Sequence, residues 1–341
     1  MERIRIGVLG AARIAPNALT KPARLVPEVT VAAVAARDPE KAEAFARRQG
    51  IRTVHRDYAE LLADPDLDAV YIPLPNGLHA EWAVRALEAG KHVLCEKPMT
   101  ANEAEAREVA EAAKRTGLVC MEAFHWRYHP LARRMREILD EEEIGAVRHI
   151  STTMCFPLPM MGDIRYNFAL AGGSLMDAGC YAVNAVRYLA PAPDETAPDA
   201  RIEVRSARAT VLKRDPRVDR AMEAHFALPG GATATMRSSM LSRHVLGISA
   251  KVVGERGEMA VMNYVAPHFR HTFTVTVDGR KRREHLGQAA RTPTYQYQLQ
   301  AFADAVLRGV EPLTPAEDAV ETMRLIDDVY RKAGLPVRGT A

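Results

Sequence analysis

The first third of the chain alternates short apolar runs with longer segments in which apolar residues recur at helical spacing. Continuous apolar runs are typical of strands buried on both faces of a parallel sheet. The predicted strands are 4–9, 29–36, 69–72, 92–95 and 118–121, and the predicted helices are 12–25, 39–49, 58–63, 79–89 and 101–116. This order predicts a doubly wound parallel sheet with right-handed crossovers.

The pattern changes after residue 130, where apolar and polar residues alternate along most segments. Such alternation predicts a mostly antiparallel sheet with one apolar and one polar face. The predicted strands are 147–156, 202–212, 221–227, 232–240, 248–253, 259–262 and 273–277. Helices are predicted at 131–139, 172–189, 295–308 and 315–333, and a proline-rich surface loop at 190–198.

Length, charge and cysteine content restrict the class of protein. A chain of 341 residues is longer than one typical domain, so two domains are expected. The formal net charge of +3 is too small to indicate nucleic-acid binding, and no apolar run reaches membrane-spanning length. The four cysteines lack a CxxC pair, which predicts reduced thiols and no metal site. No signal peptide is expected at the start, so we predict a cytoplasmic enzyme or binding protein.

Small residues follow the first predicted strand at a spacing typical of a dinucleotide-binding turn, and they read G-x-A-x-x-A. The glycine permits a tight turn, and the small residues allow the backbone to approach a pyrophosphate at the start of the next helix. An alanine-rich turn without a ligand is the alternative. The predicted cofactor-binding residues of this turn are Gly10, Ala11, Ala12, Arg13 and Ile14.

The end of the second predicted strand indicates which dinucleotide is bound. An acidic residue there binds the ribose 2′-hydroxyl of NAD, whereas an arginine suits the 2′-phosphate of NADP. Arg37 directly follows the strand, and Asp38 comes one residue later. We therefore predict NADP, with NAD as the alternative, and Arg37, Asp38 and Lys41 as cofactor-binding residues. Asp38 also suits the N-cap of the following helix, in which case Arg37 is merely solvated.

Two loops that follow predicted strands carry further candidates. The rigid segment 73–79 is predicted to lie along the nicotinamide ribose, although a polar residue without a role is an equal alternative for its histidine. The segment Glu-Lys-Pro at 96–98 ends a strand at the edge where open parallel sheets bind ligands. A lysine that only solvates a strand end is the alternative. The residues predicted to contact the cofactor here are Pro73, Leu74, Asn76, His79, Glu96 and Lys97.

A third candidate segment begins with Gly172 and Gly173 and continues as a predicted helix. Asp177 and Tyr181 are four residues apart, so they share one face of that helix. Both side chains are candidates for a pocket that also contains Lys97. The segment alone does not exclude a half-buried core tyrosine, which is the plainer interpretation.

Together these motifs resemble the Gfo/Idh/MocA family, which includes glucose–fructose oxidoreductase and inositol dehydrogenase. The motifs are G-x-A-x-x-A at 10–15, Glu-Lys-Pro at 96–98 and Gly-Gly-x-Leu-x-Asp-x-Gly-x-Tyr at 172–181. Tyr181 stands where inositol dehydrogenases carry histidine. In this respect the chain is similar to glucose–fructose oxidoreductase, dimeric dihydrodiol dehydrogenase and the deoxysugar ketoreductases.

The resemblance implies an architecture and an assembly. We expect an α/β protein with an N-terminal Rossmann domain at 1–125, which contains the doubly wound parallel sheet. A C-terminal α/β domain at 126–315 is expected to bind substrate and to oligomerise through a large open, mostly antiparallel sheet. Residues 316–341 are expected to form a helix and tail that pack back toward the N-terminal domain. A homodimer or homotetramer is implied.

The resemblance also implies an NADP(H)-dependent dehydrogenase or reductase that acts on a CH–OH group of a sugar, keto-sugar or cyclic diol. Lys97 and Tyr181 are the implied catalytic pair. The tyrosine would exchange a proton with the substrate oxygen, and the ammonium would lower its pKa from about 10. Asp177 is implied to orient the substrate or Lys97, and Pro98 to follow a cis peptide bond.

The remaining predictions concern the substrate pocket and the competing class of function. The aromatic residues among the pocket candidates suit stacking on a sugar ring or diol, with core packing between domains as the equal alternative. A non-catalytic dinucleotide-binding regulator of the same fold is the alternative function, and the joint presence of Lys97, Asp177 and Tyr181 argues against it. The predicted pocket residues are Phe124, Trp126, Arg127, Arg165, Tyr166 and Asp177.

Overall fold

The computed structural model describes residues 3–160, 162–192, 200–241 and 246–339. The chain divides into two compact units: the first comprises Met1–Tyr128 and Pro293–Glu321, and the second comprises His129–Thr292 and Thr322–Ala341. Residues 293–315 therefore group with the first unit, whereas the sequence-based boundaries placed them in the second domain. Most of the predicted proline-rich loop, 193–198, lies outside the described residues.

The first unit contains a six-stranded sheet in the order β3-β2-β1-β4-β5-β6, which is typical of dinucleotide-binding folds. All its strand pairs are parallel, as predicted. β3 was not predicted because it is short and largely exposed. The strands are β1 (Ile4–Leu9), β2 (Val29–Ala35), β3 (Thr53–His55), β4 (Ala69–Ile72), β5 (His92–Cys95) and β6 (Cys120–Glu122).

The core of the first unit covers both faces of this sheet. In β4, Val70 and Ile72 pack into one apolar cluster, and Ala69 and Tyr71 pack into another. Burial on both faces explains why the strands are continuously apolar. The helices of the chain are α1 (Lys21–Ala23), α2 (Pro39–Gln49), α3 (Tyr58–Ala63), α4 (His79–Glu88), α5 (Glu103–Thr116), α6 (Pro130–Asp140), α7 (Cys180–Leu189), α8 (Thr294–Arg308) and α9 (Ala316–Lys332).

One helix differs in form from the sequence-based prediction, and another has nearly the predicted bounds but groups with a different unit. The helix predicted at 12–25 is shorter in the structure. It consists of a π-helical turn, Pro16–Thr20, followed directly by α1. Pro22 has no N–H to donate to the α-helical ladder, which accounts for the irregular backbone. Helix α8 places Leu299 and Phe302 in the core of the first unit, so its sequence position did not reveal its domain.

The second unit contains an eight-stranded sheet in the order β14-β13-β12-β11-β7-β10-β9-β8. Among the described strands of this second sheet only the pair β7–β10 is parallel, which confirms the predicted mostly antiparallel sheet. β14 was not predicted because its four residues are all basic and exposed. The strands are β7 (Val147–Cys155), β8 (Glu203–Val211), β9 (Asp219–Ala227), β10 (Thr233–Ser239), β11 (Gly247–Gly254), β12 (Gly257–Met262), β13 (Thr272–Val277) and β14 (Arg280–Arg283).

Three further features bear on function. Among the described residues, no helix is both long and apolar enough to cross a bilayer. The same residues contain no group of three or more histidine, cysteine or acidic side chains arranged to hold a metal ion. The four cysteines are buried and free.

Candidate functional site

The turn after β1 is tight and carries no side chain at its glycine, which suits the approach of a pyrophosphate. Gly10 has a φ of +114°, and its N–H donates to the carbonyl of Ala35 at 2.7 Å. A side chain at this position would be strained by that φ and would approach Leu74 to 3.1 Å. Ala12 and Ile14 are half-buried beside it. The turn therefore fits the phosphates of a dinucleotide.

The end of β2 presents an exposed arginine. Arg37 is exposed and makes no ion pair within the described part of the chain. Asp38 caps α2 by accepting from the backbone N–H of Lys41 at 3.3 Å, and its carboxylate also pairs with the Lys41 ammonium at 3.2 Å. Hydrogen bonds from Lys41 lower the pKa of Asp38. Both interpretations of Asp38-Pro39 are therefore compatible: the aspartate caps the helix while Arg37 stays available to a phosphate.

The backbone around Lys97 is fixed on both sides. The Lys97–Pro98 peptide bond is cis, as predicted. Before it, the Glu96 carboxylate accepts a hydrogen bond from the buried Tyr71 hydroxyl at 2.6 Å. After it, the backbone N–H of Met99 donates to the buried Glu122 carboxylate at 2.8 Å. The half-buried lysine thus leaves the sheet from a backbone with little freedom, and sequence reasoning missed Glu122.

The imidazole of His79 links the two loops that follow β4 and β5. Its Nδ1 lies 2.8 Å from the carbonyl oxygen of Pro98, and its Nε2 lies 2.7 Å from that of Leu74. Burial lowers the pKa of His79 to about 4, the two carbonyls oppose this shift, and the Lys97 charge adds to it. The ring is therefore a neutral crosslink between backbone segments. These contacts give His79 a structural role, unlike the polar residue without a role of the alternative interpretation, and its contact with the cofactor stays a prediction.

The aromatic candidates of the first unit are deeply buried. Phe124 and Trp126 are both 0% exposed. Arg127 donates to the carboxylate of Asp318 at 3.0 Å, and both side chains are mostly buried. These contacts favour the packing alternative for the two rings. The place of these three residues in a substrate pocket stays a prediction.

The double glycine of the second unit forms a turn that only glycine fits. Gly173 has a φ of +144°, and a Cβ there would clash with the Asp219 carboxylate. Its N–H donates to the carbonyl of Arg165 at 2.8 Å. The Asp219 carboxylate also accepts from the N–H of Leu175 at 2.7 Å. The turn therefore brings an aspartate from β9 against the start of the segment that contains Asp177.

A buried arginine far along the chain completes this turn, and the sequence motifs did not reveal it. Arg338 is 0% exposed; its Nε donates to the carbonyl of Gly172 at 2.7 Å and its Nη2 to Asp219 at 2.9 Å. The Tyr330 hydroxyl donates to the same carboxylate oxygen at 3.1 Å. Asp219 stands at the start of β9, and a buried charge is nearly always paired. The sequence could therefore have indicated that this aspartate has a charged partner.

Asp177 lies in a π-helical turn, Leu175–Gly179, that leads directly into α7. Such turns are frequent at functional sites. The Asp177 carboxylate pairs with Arg165 at 3.0 Å, and Arg165 also pairs with Asp163 at 3.1 Å. Asp177 and then Asp163 raise the pKa of Arg165. Tyr181, four residues on, is 6% exposed. The structure thus joins two predicted pocket residues, Arg165 and Asp177, through one ion pair.

Tyr166 has a structural environment. Its ring is 2% exposed and belongs to a small apolar cluster with Leu212, Val218 and Met240. Its hydroxyl donates to the carbonyl of Leu158 at 2.7 Å. These contacts account for the tyrosine as a core residue, so its predicted contact with substrate stays a prediction.

Comparison with known proteins identifies the family. A family model described as an oxidoreductase family with an NAD-binding Rossmann fold matches residues 4–124, and the C-terminal domain model of that family matches residues 132–260. D-xylose 1-dehydrogenase (NADP(+)) 2 of Haloferax volcanii is 39% identical over 328 residues, which are 96% of each chain. The chain belongs to the Gfo/Idh/MocA family. This finding confirms the predicted resemblance.

Other Gfo/Idh/MocA proteins are also similar along the whole chain. A dTDP-3,4-didehydro-2,6-dideoxy-alpha-D-glucose 3-reductase of Actinomadura kijaniata is 33% identical over 96% of this chain and 94% of its own. The crystal structure of a 3-ketoreductase from the same organism, in complex with NADP and TDP-benzene, is 31% identical with a TM-score of 0.86. That match covers 97% of this chain and 98% of the other. This Gfo/Idh/MocA protein is accordingly an oxidoreductase.

Proposed function

We propose that this Gfo/Idh/MocA protein is an NADP(H)-dependent oxidoreductase that interconverts a hydroxyl and a carbonyl group on a sugar, keto-sugar or cyclic diol. The observation that carries the proposal is the similarity, along nearly the whole chain, to an NADP(+)-dependent xylose dehydrogenase. A dTDP-sugar 3-reductase and trans-1,2-dihydrobenzene-1,2-diol dehydrogenases are further relatives. All of them act on carbon atoms that carry oxygen.

The residues of the first unit fit an NADP dinucleotide. The left-handed turn at Gly10 suits the pyrophosphate, and the guanidinium of Arg37 suits the 2′-phosphate. Asp38 does not compete for the 2′-oxygen, because Lys41 already engages its carboxylate. When bound, NADP(H) supplies or accepts the hydride of the reaction at nicotinamide C4.

The proposed proton chemistry falls to Lys97 and Tyr181. In reduction, the Tyr181 hydroxyl donates its proton to the substrate carbonyl oxygen as the carbon receives the hydride; oxidation reverses both transfers. The Lys97 ammonium stabilises the negative charge that develops on that oxygen and favours the phenolate of the tyrosine. Asp177, already held by Arg165, orients the substrate hydroxyls.

A further observation supports this pair. The solved structures of the Actinomadura kijaniata ketoreductase include variants at one tyrosine and at one lysine. Those two positions lie as far apart in that sequence as Lys97 and Tyr181 do in this one. The shared distance between the two positions along the sequence therefore supports Lys97 and Tyr181 as the catalytic pair, in addition to the motifs.

Substitution of the pair tests the catalytic role. Lys97→Met and Tyr181→Phe should each lower kcat by about 10²- to 10⁴-fold, because each removes a group that acts on the reacting oxygen. Steady-state NADPH oxidation with a panel of ketoses and dicarbonyls measures kcat, and fluorescence titration measures NADPH binding, which should persist. Lys114→Met and Tyr188→Phe are matched controls outside the proposed site. Full activity in either catalytic variant contradicts the catalytic assignment. If the wild type binds NADPH but turns over no substrate, the alternative of a non-catalytic dinucleotide-binding regulator is favoured.

Cofactor choice is tested separately. Arg37→Ala should raise the Kd for NADPH by about tenfold or more, since a charge-assisted contact with the 2′-phosphate is lost, and should leave the Kd for NADH nearly unchanged. Arg47→Ala on α2 removes the same charge nearby and serves as the control. An equal loss of affinity for both cofactors contradicts the 2′-phosphate role.

We further propose that the protein assembles as a homodimer or homotetramer through the eight-stranded sheet of the second unit. One face of β7 and β10 is buried, as Ile150, Ala234 and Met236 show. The opposite face is polar and partly exposed, with a hydrogen bond between Thr235 and His225 at 3.3 Å. A wide polar sheet face of this kind suits self-association by shape and hydrogen bonding.

A further inference from the structure

A basic cavity lies wholly within the second unit, between the β12–β13 loop and the segment that follows β14. It has a volume of about 530 Å³, and none of its lining residues belongs to the predicted substrate pocket. Small-molecule sites commonly measure roughly 300–1,000 Å³. The basic side chains that line it are Arg270, Arg283, Arg291, His268, His271 and His285.

The charge of this cavity is positive and uncompensated. Arg270, Arg283 and Arg291 make no ion pair within the described part of the chain. The lining carboxylate, Glu284, is already engaged: it accepts from Arg134 at 3.2 Å and from Arg282 at 2.8 Å. Three guanidinium groups around one space repel one another, and a bound anion relieves that repulsion.

Two of the lining histidines, His268 and His271, offer hydrogen-bonding groups to a ligand. Burial lowers the pKa of His268, so its imidazole is neutral near pH 7. Nδ1 of His271 lies 2.9 Å from the carbonyl oxygen of Pro267, which leaves its other ring nitrogen for a further contact. The positive charge of the cavity therefore comes from the arginines, which stay charged at all physiological pH values.

The loop that carries half of these residues is held in shape before any ligand binds. Asn263 has a φ of +58°, and its side-chain amide donates to the carbonyls of Ala266 and Arg270, both at 2.8 Å. The same side chain accepts from the N–H of Ala266 at 3.2 Å. Because the loop is fixed at both its ends, little ordering is needed when an anion binds.

An exposed aromatic ring stands beside the arginines. Phe269 is 82% exposed, the highest exposure among the large apolar residues described. Its ring lies 4.3 Å from that of His268, centroid to centroid, at an interplanar angle of 41°. An aromatic ring open to solvent beside a basic cavity offers a stacking surface for a nucleobase.

We propose that this cavity binds a nucleoside diphosphate, with Arg270, Arg283 and Arg291 around the two phosphates and Phe269 against the base. A diphosphate carries about three negative charges near neutral pH, which matches three arginines. The cavity has room for the nucleotide, and the exposed Phe269 ring in its lining favours a nucleotide over an inorganic anion.

Calorimetric titration of the full-length protein tests this site without turnover. The protein is first loaded with one equivalent of NADP⁺, so that the Rossmann unit is occupied, and is then titrated with thymidine diphosphate and, separately, with inorganic pyrophosphate. We expect both to bind, thymidine diphosphate more tightly. Arg270→Ala and Arg291→Ala should each weaken both ligands by about tenfold or more. Phe269→Ala should weaken thymidine diphosphate by about tenfold and leave pyrophosphate unchanged.

A matched substitution separates a local site from a general charge effect. Arg280→Ala removes the same charge from β14 but does not line the cavity, so both affinities should stay within about twofold. Equal weakening by Arg280→Ala and Arg291→Ala overturns the site. Equal affinities of the wild type for pyrophosphate and thymidine diphosphate overturn the nucleoside part. If neither ligand produces a heat of binding, the proposal as a whole is wrong. That result would leave the proposed catalytic function intact, because kcat in the catalytic test measures it separately.

Discussion

At the scale of the single residue, His79 decides how the two loops beside Lys97 are joined. Both ring nitrogens face backbone carbonyls, one from the loop after β4 and one from Pro98. A neutral imidazole donates to one of them, whereas an imidazolium would donate to both. Burial outweighs the second hydrogen bond and keeps the pKa at about 4.

This histidine predicts a specific pH dependence of stability. In the unfolded chain the imidazole titrates near 6.5 and in the folded protein near 4, so between these values the unfolded state binds more protons. The contribution of His79 is full above pH 6.5 and is lost as the pH falls toward 4, by about 3 kcal/mol in total. The free energy of unfolding of wild type minus that of His79→Gln should shrink by this amount. Denaturant unfolding at several pH values measures it, and a constant difference contradicts a neutral ring.

Sequence patterns nominated the candidate functional side chains but not the residues that hold them in place. Lys97 and Asp177 stand in motifs with fixed spacing, so a single sequence was enough to nominate them. Glu122 holds the backbone N–H of Met99 and Arg338 holds Asp219, but these partners are distant in sequence. No local period connects such residues, so only coordinates reveal them.

At the scale of the element, the turn before α7 is built around the missing side chain of Gly173. The φ of +144° disfavours any other residue, and the Asp219 carboxylate occupies the space that a Cβ would need. The hydrogen bonds from Leu175 and Arg338 keep that carboxylate in place. The position of Asp177 therefore depends on a glycine four residues before it.

We expect Gly173→Ala to destabilise the protein by about 2–4 kcal/mol, because strain at φ and a steric clash with a buried carboxylate add together. Thermal unfolding measures the loss, and kcat should fall as Asp177 shifts. Gly162→Ala is the matched control, since a Cβ there meets nothing within 4 Å and its φ is ordinary. Equal midpoints for the two variants would show that the turn tolerates a side chain.

The elements themselves were largely predictable, and the exceptions have physical causes. Strand β1 and helix α2 have the predicted bounds because periodicity, a cap and a flanking proline agree there. The π-helical turns did not follow from a helical period that assumes uniform winding. β14 was not predicted because its four side chains are all basic and exposed, so the strand has no apolar alternation that a pattern could detect.

At the scale of the whole molecule, the polar face of the eight-stranded sheet is the place to test self-association. Thr235 lies on this face, on the interior strand β10, which pairs with β7 on one side and β9 on the other. Thr235→Arg should convert the assembled protein to monomers, because a bulky side chain would keep the two sheets apart and would add positive charge beside Arg237. Light scattering after size-exclusion chromatography measures the mass. Glu40→Arg, on α2 of the other unit, should leave the assembly unchanged. If the Thr235→Arg protein keeps the wild-type mass, this part of the sheet is not the interface.

The sequence predicted the type of sheet in each unit but not which residues each unit contains. The switch from continuous apolar runs to alternation near residue 130 separated a parallel from an antiparallel sheet. The grouping of α8 with the first unit depends on Leu299 and Phe302, which enter a core made more than 170 positions earlier. An amphipathic helix shows that it has an apolar face, but it does not show which surface that face covers.

The discontinuity of both units has a consequence for biosynthesis. The first unit needs α8 to finish its core, and the second needs Arg338 to neutralise the carboxylate at its glycine turn. A ribosome that has translated only the first 290 codons therefore exposes two unfinished bodies at once. Because these closing segments follow the rest of their units in the sequence, neither core is complete until they have emerged from the ribosome.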